Sequence, residues 1–375
     1  MYNKIVIIYP KEFTNKEYTK NSILEFQKKG IKVEVWIIKK ILNQNDFINL
    51  KIICKKKVKI KIIKSISTLI YFLNQESYKT LFDVRINVNI KSIKFFKIFF
   101  KKKIDYILFP GLILNKSKIH YKLQVKLKNL FIKLIFIFSN IKIKNAKFVY
   151  LISKQANIYN NPLISKNSNF IKGHHADYDK YISYRFIKKN KYPKKFFLFL
   201  DQDVPNHPDL VALKLNDLNE KEYYNSLKKF FIEIEKKHGL RYLVSPHPRA
   251  KVNKIKKYFG NRVSKVDTIE LIKNCEFVLC HDSTAINYAF LLKKPIIPII
   301  NNEMLNSKYD HLSKNVDFCK RANLELINIH KNRITNKIKK INKKNYKNYI
   351  ENYIKYNKLI KNRADIIFLK IMLSK

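Results

Sequence analysis

The sequence predicts an α/β protein of two Rossmann-like, doubly wound parallel-sheet domains with helices at the C-terminus. Three observations carry that prediction. A chain of 375 residues exceeds one ordinary domain, and about two of roughly 150 residues each are expected. The chain opens strand–helix–strand, a unit that closes as a right-handed crossover with parallel strands. From Phe196 to Ile299 buried-strand and amphipathic-helix patterns alternate again, the signature of a second sheet covered on both faces. The expected divisions are a domain at 1–172, a linker at 173–195, a domain at 196–336 and a helical tail at 337–375.

The elements follow in order. Residues 4–9 read as a buried strand, and a helix is expected near 17–29. Gly30 stands where a helix C-cap belongs, and 31–37 is the next strand. The first turn, Pro10 to Asn15, lacks the glycine fingerprint of dinucleotide folds, which disfavours a nicotinamide enzyme. Residues 47–64 alternate β-branched residues with Lys and are ambiguous. Ile104 to Phe109 is a strand that exits at Pro110-Gly111. The stretch 118–143 is long, basic and amphipathic; packing on the sheet and lying on an anionic membrane are both open to it. Lys147 to Leu151 returns as a strand, followed by Ser153.

Gly173 to Asp179 is a polar break, and Lys188 to Lys195 is a charged, hinge-like run. Phe196 to Leu200 then starts the second sheet. An amphipathic helix at 220–238 closes at Gly239, and Arg241 to Val244 is a strand. Asp267 or Thr268 caps a short helix, and Phe277 to Cys280 is a strand. Ser283 or Thr284 caps a helix to about Leu292, and Pro295 to Ile299 is the last strand.

Composition limits the function. The chain carries 78 basic residues and a net charge of +50, yet only eight of them are Arg. Lys is spread along the whole length. A nucleic-acid protein would concentrate Arg and aromatic residues on one element, so no nucleic-acid partner is expected. The charge suits anionic lipid surfaces and anionic sugar nucleotides. Cys54, Cys275, Cys280 and Cys319 include no Cys-x-x-Cys pair and read as buried thiols, not zinc ligands. Without a long uncharged apolar run or a secretory signal pattern, a cytoplasmic protein is expected, with peripheral contact to the inner membrane as an option. In a chain this poor in Arg, Gly and Pro, Pro246, Pro248 and Arg249 within four positions mark a place to look.

Three polar clusters follow directly after expected strands, at 201–209, 245–249 and 281–284, and ligands of open parallel sheets bind at strand carboxyl ends. Ser283 and Thr284 at a helix start offer hydroxyls and free N–H groups to a phosphate, or serve only as caps. His281 lies in the same turn. Pro246 and Pro248 stiffen the loop around His247, which is either a phosphate ligand or a rigid-turn histidine. Arg249 offers a planar fork suited to phosphate.

This order resembles bacterial surface-polysaccharide glycosyltransferases: a strand into His247-Pro248, a strand into Ser283-Thr284 at a helix start, then Lys294-Pro295-Ile296-Ile297. The likeness is to the sialyltransferase, polysialyltransferase and Kdo-transferase-like group, and more loosely to the glycerophosphotransferases of wall teichoic acid. It covers about 196–300. It implies a GT-B fold whose two domains, an acceptor-side 1–172 and a nucleotide-sugar-binding 196–336, face a cleft, with metal-independent transfer and no cofactor beyond the nucleotide-sugar co-substrate. His247, Pro248, Ser283 and Thr284 would hold the donor phosphate, joined by Arg249 and His281. The implied partners are a nucleotide sugar, such as a CMP-linked sialic acid or related acid sugar, and a lipopolysaccharide, lipooligosaccharide or capsule acceptor.

The group usually carries an acidic pair followed by Gly in its N-terminal half, which supplies the general base. Here Gly111 follows Phe109-Pro110, and no such triplet exists. The catalytic expectation therefore falls on Asp201, Asp203 and His247, with His175, Asp177 and Asp179 as acceptor-side or base candidates. Each of these residues also reads as a turn former or loop cap. The alternatives are a CDP-polyol phosphotransferase, a GT-B-like sugar-nucleotide epimerase, and a non-enzymatic basic protein that binds nucleic acid or membrane.

Overall fold

In a computed structural model, the chain divides into two units, Met1–Ala176 with Lys355–Lys375 and Asp177–Ile354. The structure describes residues 1–38, 57–86, 92–110, 142–184, 195–331 and 341–373, less 11–12, 14, 157, 159–160, 208–209 and 212, together with 130, 131 and 134. Most of the basic stretch 118–143, Cys54, Gly111 and most of 188–195 lie outside the described residues.

The first unit is a parallel sheet. Its strands are β1 (Lys4–Tyr9), β2 (Lys32–Ile37), β3 (Lys59–Ile62), β4 (Thr80–Val84), β5 (Tyr106–Leu108), β6 (Phe148–Leu151) and β7 (Asn169–Lys172). Their order is β3-β2-β1-β4-β5-β6-β7. The run Ile5-Val6-Ile7-Ile8 is apolar throughout because helices cover both faces of the sheet. Ile5 and Ile7 join one core with Phe26, while Val6 and Ile8 join another with Phe95 and Phe99. The expected helix at 17–29 is split into Asn15–Lys20 and Ile23–Lys28, because Ser22 adopts a left-handed conformation with φ 52°. β4, β7 and the helices Ile66–Asn74 and Ile93–Lys101 have no counterpart in the sequence reading.

The second unit holds β8 (Phe196–Leu200), β9 (Arg241–Ser245), β10 (Val278–Cys280), β11 (Ile296–Ile300) and β12 (Ile327–Asn328). They run parallel in the order β12-β11-β10-β8-β9. Leu198 and Leu200 face one core, and Phe197 and Phe199 face the other. The helix Glu220–His238 has every expected terminal signal. The Asn219 carboxamide oxygen accepts from the N–H groups of Lys221 and Glu222, acids fill the first turn, bases fill the last, and Gly239 closes it at φ 64°. Caps, dipole-matched charges and a left-handed glycine all act at its ends.

Residues Ala176–Tyr184, expected within a linker, form a helix instead, and its Tyr178 is buried in a core of the second unit. The helix expected to be capped by Ser283 or Thr284 is preceded instead by Ala285 at the cap position, and runs from Ile286 to Leu291. The C-terminal stretch serves both units. Lys343–Tyr349 packs its Tyr346 and Tyr349 in the second, and Ala364–Leu373 packs its Phe368 and Met372 in the first. Cys275, Cys280 and Cys319 are buried and form no disulfide among the described residues.

Each sheet has a topological switch point. In the second unit, the helix after β8 packs with Phe197 and Phe199, whereas the helix after β10 packs with Leu198 and Leu200. The chain leaves these two neighbouring strands toward opposite faces, which opens a crevice at their carboxyl ends. In the first unit the same reversal lies between β1 and β4.

Candidate functional site

The second unit's switch point brings together all three polar clusters. β8 delivers Asp201, Gln202 and Asp203; β9 delivers Ser245 through Arg249; β10 delivers His281 through Thr284. The loops are tied to one another. The Gln202 carboxamide donates to the Asp282 carbonyl, bridging the β8 and β10 loops. The Asp201 N–H donates to the Ser245 carbonyl at 3.0 Å, and the His207 and His247 rings lie 5.4 Å apart, which links the β8 and β9 loops. The Ser245 and Thr268 hydroxyls, 2.8 Å apart, extend the frame to the next helix.

The two aspartates build the β8 loop. Asp201 Oδ1 accepts from the Asp203 N–H at 3.0 Å, an Asx-type turn that holds Asp203 in the left-handed region at φ 50°. Asp203 Oδ1 accepts from Asn206 at 3.0 Å. Tyr224 Oη lies 3.2 Å from Asp203 and 3.4 Å from Asp201, so one hydroxyl hydrogen serves the pair. Both carboxyl groups are buried. Burial, with Asp203 nearby, pushes the Asp201 carboxyl up to about 7, because a carboxylate out of water is costly. Expected as catalytic groups, these residues instead turn their carboxyls into the framework of the loop.

His281 is also part of the frame. It is fully buried, with Nδ1 2.7 Å from the Ile299 carbonyl and Nε2 2.9 Å from Tyr223 Oη. A carbonyl only accepts, so Nδ1 carries the hydrogen and Nε2 accepts from the tyrosine. Burial pushes this imidazole down to about 4, and it is neutral at pH 7. Expected as a donor ligand, His281 has both nitrogens committed to protein and supports the β10 loop from beneath. Tyr223 and Tyr224, adjacent on Glu220–His238, thus brace one loop each. Neither was found in the sequence, although both lie within the first two turns of a helix that opens soon after cluster 201–209.

The groups nearer the surface are different in kind. His247 is half-buried, and its Nδ1 accepts from the Arg249 N–H at 3.3 Å, which places the ring hydrogen of the neutral form on Nε2. The Ala250 N–H closes the turn on the His247 carbonyl at 2.9 Å. Pro248 and Arg249 are exposed, as is Thr284, while Ser283 is half-buried. The Ser283 hydroxyl accepts from the Ala285 N–H at 3.3 Å, which closes a local turn ahead of the helix, and retains its own hydrogen to donate. Asp282 is paired with Arg321 at 3.7 Å, and burial, offset by Arg321 and Lys314, leaves its carboxyl above the usual range.

The remaining candidates lie elsewhere in the chain. Asp177 accepts from Asn287 at 2.8 Å and from Tyr288 at 3.2 Å, pinning Ala176–Tyr184 to the helix Ile286–Leu291. Asp179 is half-buried on that helix, and His175 is half-buried just before it.

No family model matches the sequence, and no curated protein matches it. Solved structures do. A variant of the wall teichoic acid polymerase TagF matches with a TM-score of 0.50 at 11% identity, over 98% of this chain and 89% of that one. The fold is GT-B. The UDP-GlcNAc 2-epimerase of Methanocaldococcus jannaschii matches at 0.46 and 14% identity, over 93% and 92% of the two chains. MurG of Acinetobacter baumannii matches at 0.43 and 7% identity, over 89% and 88%. At these identities the likeness is one of fold, and GT-B here means two α/β units, each with its own parallel sheet and switch point.

Proposed function

We propose that this GT-B chain is a glycosyltransferase that takes a sugar from a nucleotide-activated donor and passes it to a bacterial surface glycan. The observation that carries the reading is the meeting of the β8, β9 and β10 loops at the switch point of the second sheet, tied by Gln202 to Asp282 and by Asp201 to Ser245. In this reading His247 Nε2–H, the Arg249 fork, and the Ser283 and Thr284 hydroxyls take the donor phosphates, with Pro248 fixing the turn. Charge that develops on the leaving phosphate is met by fixed donors, which is where such sites gain most. Arg249 and the surrounding lysines supply the positive charge in place of a metal. Asp201, Asp203 and His281 act as positioning residues. Asp177 is committed to Asn287 and Tyr288, so His175 and Asp179 remain the candidates for the base that receives the acceptor proton.

A CMP-linked acidic sugar is the first donor to test, with lipopolysaccharide, lipooligosaccharide or capsule glycan as acceptor. A net charge of +50 favours meeting a glycolipid acceptor at an anionic inner-membrane face. Among the described residues, no helix is long and apolar enough to cross a membrane.

Thermal melts with CMP, CDP, UDP and GDP test the donor site. One cytidine or uridine nucleotide is expected to raise the Tm, and His247→Ala to weaken its binding about tenfold, as for loss of a hydrogen bond to a charged group. If none of the four raises the Tm, the donor site is wrongly placed. Incubation with labelled donor then separates transfer to glycan from release of free sugar, and the latter would overturn the transferase reading.

A further inference from the structure

The β10 loop carries an acid where the donor-site reading has no use for one. Asp282 directly precedes Ser283 and Thr284, the hydroxyls given to the donor phosphates, and a carboxylate repels a phosphate. Its backbone is held, because Gln202 donates to the Asp282 carbonyl. Its side chain does not cap the helix that follows, which has Ala285 at the cap position and no side-chain cap. Among the described residues the carboxyl accepts no hydrogen bond and is met by Arg321, whose Nη2 lies 3.7 Å from Oδ1. The two side chains are 14% exposed for Arg321 and 35% for Asp282. Arg321 stands in the last turn of the helix His311–Ala322. Lys314, two turns earlier on the same face, adds positive charge toward the same carboxyl.

Arg321 is itself seated. Its guanidinium carbon lies 5.8 Å over the Tyr353 ring. Tyr353 lies 5.0 Å from Tyr349, and Tyr349 stacks on Phe290 at 3.8 Å. One aromatic row therefore fixes both Arg321 and the helix Ile286–Leu291 behind Ser283 and Thr284. Two features argue against an ordinary bridge. The chain uses Lys for nearly all its positive charge, so an Arg under the β10 loop marks a need for a rigid cation of fixed position. A partly buried ion pair is also no more stabilising than apolar packing of the same volume, yet the pair is kept beside the loop where an uncancelled negative charge would do most harm.

We propose that Arg321 is a positioning residue of the donor site, which cancels the charge of Asp282 and fixes its carboxyl so that Ser283 and Thr284 can take a phosphate. Arg321 acts through Asp282 and not by touching the phosphate. The inference rests on the glycosyltransferase reading, which puts the donor phosphates at Ser283 and Thr284.

The test is calorimetric titration of the full chain with CDP and with UDP, on the wild type and three variants. Arg321→Gln leaves the Asp282 charge uncancelled near the phosphate and is expected to weaken the nucleotide that binds about tenfold. Asp282→Asn removes the repulsion and leaves Arg321 in place, so binding is expected to tighten about threefold at low salt, with the gain shrinking as salt rises. The double variant is expected to return to within about threefold of wild type, the coupling that a double-mutant cycle isolates. A merely structural pair would give no tightening in Asp282→Asn, so unchanged or weaker binding there would overturn the proposal. A double variant no better than Arg321→Gln would overturn it too, and would make Arg321 a phosphate ligand in its own right. If Arg321→Gln fails to fold, Asp282→Asn and the double variant still decide. Nucleotide binding that none of the variants alters removes this inference alone, whereas a wild type that binds neither CDP nor UDP removes it together with the donor site.

Discussion

His281 and Asp201 are buried at neighbouring strand ends and titrate in opposite senses. His281 is held down to about 4 by burial. Its contribution to stability is whole above the ordinary imidazole value of about 6.5 and is lost as pH falls through about 4. His311, also pushed down to about 4 by burial, acts in the same direction. Asp201 is pushed up to about 7. Its contribution is whole below the ordinary carboxyl value of about 3.9 and is lost as pH rises through about 7. Between about pH 4 and 6.5 the slopes oppose, each at ~1.4 kcal/mol per tenfold change in proton affinity. Asp201→Asn is expected to steepen the loss of stability on acidification, and His281→Asn to reduce it. Urea midpoints measured across that range check both, and parallel curves for wild type and variants would contradict the assignment.

At this scale the sequence located the three strand-end loops better than it read the hydrogen bonds inside them. His247, Arg249, Ser283 and Thr284 were legible because prolines and a helix start mark their loops. The loops of His281 and the two aspartates were legible, but not the hydrogen bonds that hold their buried side chains. Their orientation depends on Tyr223, Tyr224 and Ile299, which lie 18 or more residues away along the chain.

Among elements, strands with unbroken apolar runs were read correctly, as with β1, β8 and β11, because burial on both faces leaves no polar position. β4 was missed. Its run Thr80-Leu81-Phe82-Asp83-Val84 carries a buried carboxylate, and Asp83 is tolerated there only because Arg85 grips it. Local pattern conceals a strand whose charge is neutralised by a residue just beyond its end. The first expected helix was divided at Ser22, since neither charge nor apolar spacing reports a left-handed residue.

β6 and the end of β7 pack together through one glycine. Gly173 follows β7, and its Cα faces the Tyr150 ring so closely that an added methyl would overlap that ring. The Tyr150 hydroxyl accepts from the His174 N–H at 3.2 Å, so the ring is not free to retreat. Gly173→Ala is expected to destabilise the first unit by about 2 kcal/mol, as overpacking does. Denaturation followed by fluorescence of Trp36, the one tryptophan of the chain and fully buried in this unit, would show it. A gain in stability would mean that Tyr150 moves at little cost.

On the scale of the whole molecule, two α/β units with parallel sheets were legible from alternation alone. The assignment of the C-terminal residues was not. The helix Ala364–Leu373 carries an ordinary apolar pattern, and nothing in it names the core it joins. Phe368 and Met372 are buried beside Phe26, Tyr150 and Phe109, and the Tyr2 N–H donates to the Met372 carbonyl at 3.0 Å. Phe368→Ala is therefore expected to destabilise the first unit by about 3 kcal/mol, near the lower end for a buried aromatic. The Trp36 fluorescence transition should shift to lower denaturant, and an unmoved transition would place the helix elsewhere.

That same helix reverses the order in which a ribosome can finish this protein. Residues 177–354 leave the exit tunnel before the helix Ala364–Leu373, so the apolar face around Phe26 and Tyr150 waits uncovered until that helix emerges. Domains commonly mature in the order of synthesis, but here the first half to be made is the second to be completed. During that interval the nascent chain displays an unfinished apolar surface, which is where a chaperone would have reason to bind.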